Sequence, residues 1–394
     1  MILTPETEIR ERLDNLRKSI KKHGFGAALI YQHVDIFYYT GTMQRGALYV
    51  PVNGDPLFMV TKNIDRAKSE SSIKKIVRLS NPVQAGDVLK ENGYRLPEKI
   101  GVEMDVIPAK LYTKLASSLS SEIGDISLSI RLQRAVKSRF EIKMMRKAAL
   151  ILKKTYAEIP NMIEEGITET ELSARIEYCL RRNGHQGVMR FRAAGMELYA
   201  AHLSFGKSAA TPVHFDGPVG VNSLYPAAPQ IGGNRKLKPG VPVIADIVAG
   251  VGGYLVDSTR TFALKEISDK FLNQYRNVIK LNSEIVNRLV PGEIPSDIYK
   301  DILNLANEMG YEKSFMSSGE NQVKFIAHGI GLEVDEIPVI AKNFNMALVP
   351  GNTLAVEPKI ICPNSGGVGI ENTYLITEKT PNNLTEFNMN LQII

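Results

Sequence analysis

The stretch VIADIVAGVGGYLVDSTRTFAL, Val243–Leu264, sets two aspartates, Asp246 and Asp257, inside what otherwise reads as a pair of apolar β-strands. Gly252-Gly253 between two β-rich runs is the signal of a two-residue hairpin, because glycine accepts the positive φ of such turns. In that register Val251 faces Tyr254 and Val248 faces Asp257. Asp246 and Asp257 are then diagonal neighbours on one face, about 7 to 8 Å apart at Cα. A loop of odd length would send them to opposite faces. From Val243 to Val251 both faces are apolar, as in a covered strand. Two buried carboxylates facing each other demand a cation between them, whereas the same residues on an edge hairpin would simply face solvent.

A second pair repeats the pattern. Glu357 in TLAVEPKII and Glu371 in GVGIENTYLIT each interrupt an apolar run, and the intervening CPNSGG is turn chemistry. A hairpin with an odd-numbered loop puts both on one face, and pairing centred on Asn364 sets them directly opposite. A fifth candidate is His328 in FIAHGIGLE, where Gly329 and Gly331 permit close approach to the backbone. Alone, such a histidine is more often a hydrogen-bonded core residue than a ligand. Four carboxylates and an imidazole form a hard donor set suited to Mn²⁺, Mg²⁺, Co²⁺ or Fe²⁺ rather than to a structural zinc. Two divalent ions balance four acids where one does not, so the expectation is a binuclear centre. Such a pair, about 3.5 to 4 Å apart, activates water against a carbonyl or phosphoryl group.

The remainder of the 394-residue chain reads as two domains. Composition is that of an ordinary globular protein, with 44% hydrophobic and 23% charged residues. The start, MILTPETEIR, lacks the apolar stretch of a signal peptide, and no run approaches the length of a membrane span. The expectation is a cytoplasmic protein. Cys179 and Cys362 are too few for a disulfide framework and receive no role. The net charge of +6 is spread over scattered lysine pairs, without the basic stripe and aromatic platforms of a nucleic-acid binder.

Ile9, Leu13, Leu16 and Ile20 follow helical spacing up to Gly24, while GAALIY, ALYVPV, PLFMVT and KIGVE read as strands, which predicts an α/β domain over residues 1–135. Ser138 with Glu141 forms a capping box that opens a helix with Ile142, Met145, Ala149, Leu152, Tyr156 and Ile159 on its core face. Thr168 with Glu171 opens another, and Ile298, Ile302, Leu305 and Met309 mark a third before Gly310. These helices and the glycine-rich strands that follow make an α+β domain over residues 136–394.

With these residues in place, the C-terminal domain resembles the pita-bread metallopeptidases: prolidase, aminopeptidase P, methionine aminopeptidase and the non-metal relative creatinase. The likeness is carried in order by ADIVAG, VDSTRTF, HGIGLEVDEIP, VEP and GIEN. The N-terminal domain looks like the one shared by prolidase, aminopeptidase P and creatinase. The resemblance implies Asp246, Asp257, His328, Glu357 and Glu371 as ligands of two divalent ions, Mn²⁺ foremost, with Co²⁺, Fe²⁺ and Zn²⁺ as alternatives. It implies Glu357 as proton shuttle as well as ligand, and His214 in ATPVHFDGP as the residue that steadies the tetrahedral intermediate. It also implies hydrolysis of Xaa-Pro bonds in small peptides by a homodimer.

Two positions depart from the pattern. Asp335 stands where many family peptidases have a second histidine, and Gly369 where an arginine is frequent. Asp335 is a candidate for holding a substrate ammonium group. Arg190, Arg192 and His202 lie upstream of His214 and are left outside the expected site as ordinary surface residues. Hydrolysis of another small amide, or a binding role without catalysis, are the competing readings.

Overall fold

Alternating helix and strand signals at the N-terminus become a six-stranded mixed sheet. In a computed structural model describing residues 1–394, the chain divides into Met1–Arg134 and Ala135–Ile394. In the first unit the strands β1 (Ala27–Ile30), β2 (Gly46–Pro51), β3 (Leu57–Val60), β4 (Lys75–Arg78), β5 (Lys99–Val102) and β6 (Glu122–Asp125) run in the order β4-β3-β2-β1-β5-β6. β1, β2 and β3 are buried on both faces, which is why they read as continuous apolar runs. The outer strands β4 and β6 are partly exposed and polar, so periodicity did not disclose them. The helix Glu6–Lys22 buries Ile9, Leu13, Leu16 and Ile20 as their spacing predicts.

The second unit opens with the helix Arg139–Glu158, whose capping box between Ser138 and Glu141 is fully formed. It buries Met145, Ala149, Leu152 and Tyr156, with Met144 and Ile151 widening the stripe and Ile142 only half-buried. The Tyr156 hydroxyl donates within reach of the Ala245 carbonyl, at 3.0 Å, and of the Ser258 carbonyl. One side chain thus grips the two strands that carry the aspartates.

Those strands are β8 (Pro242–Val251) and β9 (Tyr254–Ala263), which pair with β7 (Ala201–Phe205) and the C-terminal Gln392–Ile393 in a four-stranded sheet. The hairpin has the register read from the sequence: Val251 faces Tyr254, Val248 faces Asp257, and Gly252 and Gly253 take φ of 62° and 95°. A five-stranded sheet is built from β10 (Phe325–Gly329), β11 (Glu336–Ala341) and β12 (Thr353–Val356). β13 (Lys359–Cys362) and β14 (Gly366–Gly369) stand apart as a two-stranded ladder, and β15 (Asn372–Leu375) with Asn382–Asn383 completes the larger sheet in the order β11-β10-β12-β15-Asn382–Asn383.

The glutamate hairpin keeps one register through both ladders, with Val356 facing Asn372 and Lys359 facing Gly369. Pairing is therefore centred on Asn364, which turns with φ of 61°. Glu357 and Glu371 lie where the hairpin leaves one sheet for the other.

The two hairpins are joined at Glu371, whose N–H donates to the Thr259 carbonyl at 3.1 Å. Arg260, fully buried, reinforces this seam. Its guanidinium donates to the carbonyls of Glu371 and Thr259 at 2.8 Å each, to Asn388 O at 2.7 Å and to Asn372 Oδ1 at 2.8 Å. Arg260→Met would retain bulk but remove a charged donor from each of these acceptors, a hydrogen bond to a charged group being worth about 1.5 to 3 kcal/mol. Its urea-unfolding midpoint is expected to correspond to a stability loss of about 3 kcal/mol or more.

Candidate metal centre

β9 presents Asp257, Thr259 and Thr261 on one face, and each meets the glutamate hairpin. The Thr373 hydroxyl accepts from Asp257 N at 2.9 Å and donates to Asp257 O at 3.0 Å. Thr259 Oγ1 donates to Glu371 Oε2 at 2.8 Å, and Thr261 Oγ1 donates to Gly369 O at 2.8 Å. The sequence DSTRT thus docks one carboxylate pair on the other through hydroxyls at a spacing of two.

His328 enters from β10 with Nδ1 at 3.0 Å from the carbonyls of Gly329 and Val334. Carbonyls only accept, so Nδ1 carries a proton and Nε2 is the atom turned on the acids. Nε2 lies 3.8 Å from both Glu357 Oε1 and Glu371 Oε1, beyond hydrogen-bond length. Burial opposes charge on this imidazole, yet Glu371, Asp335 and Glu357 outweigh it and hold its pKa well above the usual value. Nε2 is the ring atom through which this imidazole can bind a metal ion.

Ligand atoms of Asp257, His328 and Glu371 lie within 4.8 Å of one another, and so do those of Asp246, Glu357 and Glu371. The first group fits a divalent ion: two carboxylates and an oriented imidazole converge, and buried Glu371 Oε1 has no hydrogen-bond partner. Burial pushes the Asp257 pKa well above the usual carboxylate range, and Glu371 and Asp246 push it further, which marks a shortage of positive charge beside it.

The second group already contains a cation. Lys359, fully buried, places Nζ at 2.5 Å from Glu357 Oε2, 3.1 Å from Glu371 Oε2 and 3.2 Å from Asp246 Oδ2. Burial disfavours the ammonium, but these three carboxylates hold its pKa well above the usual value. Glu371 shows the effect: burial raises its pKa, but Lys359 and His328 bring it down to about 2. Glu357, where burial dominates over the same lysine, is pushed up to about 8. Sequence reading passed over Lys359 as part of a strand. The available signal was its parity, since a residue two after Glu357 points to the same face.

Asp246, Asp257, His328, Glu357 and Glu371 share one cavity with Asp335. His214 does not line it. That residue is exposed on the loop Thr211–Gly217 and lines an adjoining cavity, the two sharing Phe215, Asp216 and Gly217. The histidine found in the carboxylate cavity beside His328 is His202, which corrects its dismissal as a surface residue: it is buried on β7, paired with Asp246 across the ladder, and neither ring nitrogen has a hydrogen-bond partner. Its placement depends on strand pairing across the irregular segment between β7 and β8, which the sequence pattern does not encode.

Residues 143–378 match the family described as metallopeptidase family M24, and residues 12–136 match the creatinase/prolidase N-terminal domain. A Xaa-Pro dipeptidase of Pyrococcus furiosus is 27% identical over 380 residues, covering 96% of this chain and 98% of its own. Among solved structures, a Xaa-Pro dipeptidase from Bacillus anthracis superposes with a TM-score of 0.83 at 24% identity, over 98% of this chain and 100% of that one. The prolidase of Pyrococcus horikoshii OT3 gives 0.81 at 24% identity, over 97% and 99%. These neighbours share the two-domain fold: a creatinase-type N-terminal domain followed by a pita-bread domain. No helix is long and apolar enough to cross a membrane. With its two hairpins, its histidine strand and a match spanning more than half its length, the chain belongs to metallopeptidase family M24.

Proposed function

We propose that this chain hydrolyses Xaa-Pro bonds in small peptides, using divalent metal held by residues from the set Asp246, Asp257, His328, Glu357 and Glu371. The observation that carries the reading is the convergence of these five side chains in one cavity. The names of the relatives support the proline preference. An Xaa-Pro bond has no amide hydrogen for a general protease to grip, so its cleavage calls for a dedicated site. The reading includes Mn²⁺ as the ion, in keeping with the oxygen-rich donors, and a cytoplasmic homodimer. Two ions were expected from the four acids, but a second ion in the Asp246, Glu357 and Glu371 group has to contend with Lys359.

When bound, the metal supplies a Lewis acid that polarises the scissile carbonyl and eases water deprotonation. Glu357, which lines the cavity beside the other proposed ligands, is the carboxylate suited to take a proton from water and return it to the leaving proline nitrogen. Asp335 and Asp216 add carboxylates to the cavity and offer a seat for a substrate ammonium. His214 reaches a substrate here only if its loop folds inward.

Matched Xaa-Pro dipeptides, Xaa-Pro-Yaa peptides and non-proline controls, followed by mass spectrometry with Mn²⁺ supplied, test the assignment. Proline-dependent cleavage that disappears in Asp257→Asn is expected. Cleavage of other small amides alone would replace the proline assignment, and no turnover with metal bound would favour a binding role. Thr259→Val, which removes the hydroxyl donor to Glu371, is expected to weaken Mn²⁺ binding by about 10-fold or more in a calorimetric titration. For His214→Ala the expected result is a kcat lower by about 10²-fold with metal affinity unchanged; an unaltered kcat would remove His214 from the mechanism.

A further inference from the structure

The lysine in the carboxylate cluster and the glycine opposite it are one device. Lys359 faces Gly369 across the β13–β14 ladder, and a Cβ at Gly369 would stand 2.4 Å from Lys359 Cγ. A residue with any side chain at 369 would therefore collide with the lysine stem. The glycine at 369, unexplained by the sequence alone, makes room for the lysine to run inward along the hairpin.

At the end of that stem the ammonium meets a complete set of partners. An ammonium has three N–H donors and no acceptor, and Nζ lies between 2.5 and 3.2 Å from one oxygen each of Glu357, Glu371 and Asp246. These are the residues of the second potential metal group, and of no other carboxylate in the cluster. Asp257 and His328 are left to the first group, which keeps Glu371 Oε1 unpaired while Oε2 is shared by Thr259 and Lys359.

We propose that Lys359 takes the place of a second metal ion, so that this chain carries one divalent ion, bound through Asp257, His328 and Glu371, beside a built-in ammonium. The inference rests on the metal-binding part of the function proposed above but not on the identity of the substrate. Occupancy supports it. Nζ already stands within 2.5 to 3.2 Å of an oxygen of each acid in the second group, the place a second ion would need, and a divalent ion pressed against that ammonium would meet like charge in a buried site. The ammonium neutralises and holds the acids, but unlike a metal it has no open coordination position.

Metal content decides the matter without reference to turnover. Purified protein, stripped with chelator, reloaded with excess Mn²⁺ and desalted, is expected to contain one ion per chain by plasma mass spectrometry. Its electron paramagnetic resonance spectrum should be that of an isolated Mn²⁺. Lys359→Gly frees the second group and should raise the content to two ions, with the broadened signal of a coupled pair. Should that variant fail to fold, Lys359→Ala, which removes the stem as well as the charge, provides the same comparison. Two ions in the unaltered protein would overturn the inference while leaving the metallopeptidase reading intact. No ion in either protein would overturn both. One ion in the unaltered protein and in a folded variant would also overturn it, because the lysine would then not be what excludes the second.

Discussion

Four carboxylates within a few ångströms of one another, three of them buried and Asp246 partly so, are the constraint around which the C-terminal unit is arranged. Each acid resists ionisation through loss of water, and each raises the cost of ionising the next. The fold answers in three ways. Backbone and hydroxyl donors fix the acids, as with Thr259 on Glu371 and Ser258 N on Asp257 Oδ1. A buried lysine neutralises one side of the cluster. An imidazole, held by backbone carbonyls, turns its second nitrogen towards the other side.

The frame that holds this charge was legible where it depends on period and turn chemistry. Gly252-Gly253 fixes the register of β8 and β9, and with it the shared face of Asp246 and Asp257. The centre of pairing at Asn364 follows from equal spacing of Glu357 and Glu371 about that residue. The capping box at Ser138 needed only local sequence. By contrast, β4 and β6 are polar edge strands whose pairing is decided by neighbours distant in sequence.

What remained hidden in the site had the same origin. His202 owes its place to pairing with Asp246, and no turn links β7 to β8 to reveal that register. Lys359 was open to inference by parity, but a charged residue in a strand suggests exposure, and only the ladder shows that Gly369 clears its path. His214 lies in a loop whose course is not governed by either strand or helix periodicity, and sequence order alone did not place it in the cavity. Residues whose register a nearby turn fixes were read more securely than those placed by long-range strand pairing or by loops.

Lys359 also changes what the protein must acquire after synthesis. A metal ion must be obtained from the cell, competes with other metals for its ligands, and is lost to chelators. A positive charge carried on a side chain arrives with translation and in fixed proportion to its acids. One side of this cluster is thereby insulated from metal scarcity and from mis-metallation, and its assembly depends on folding alone.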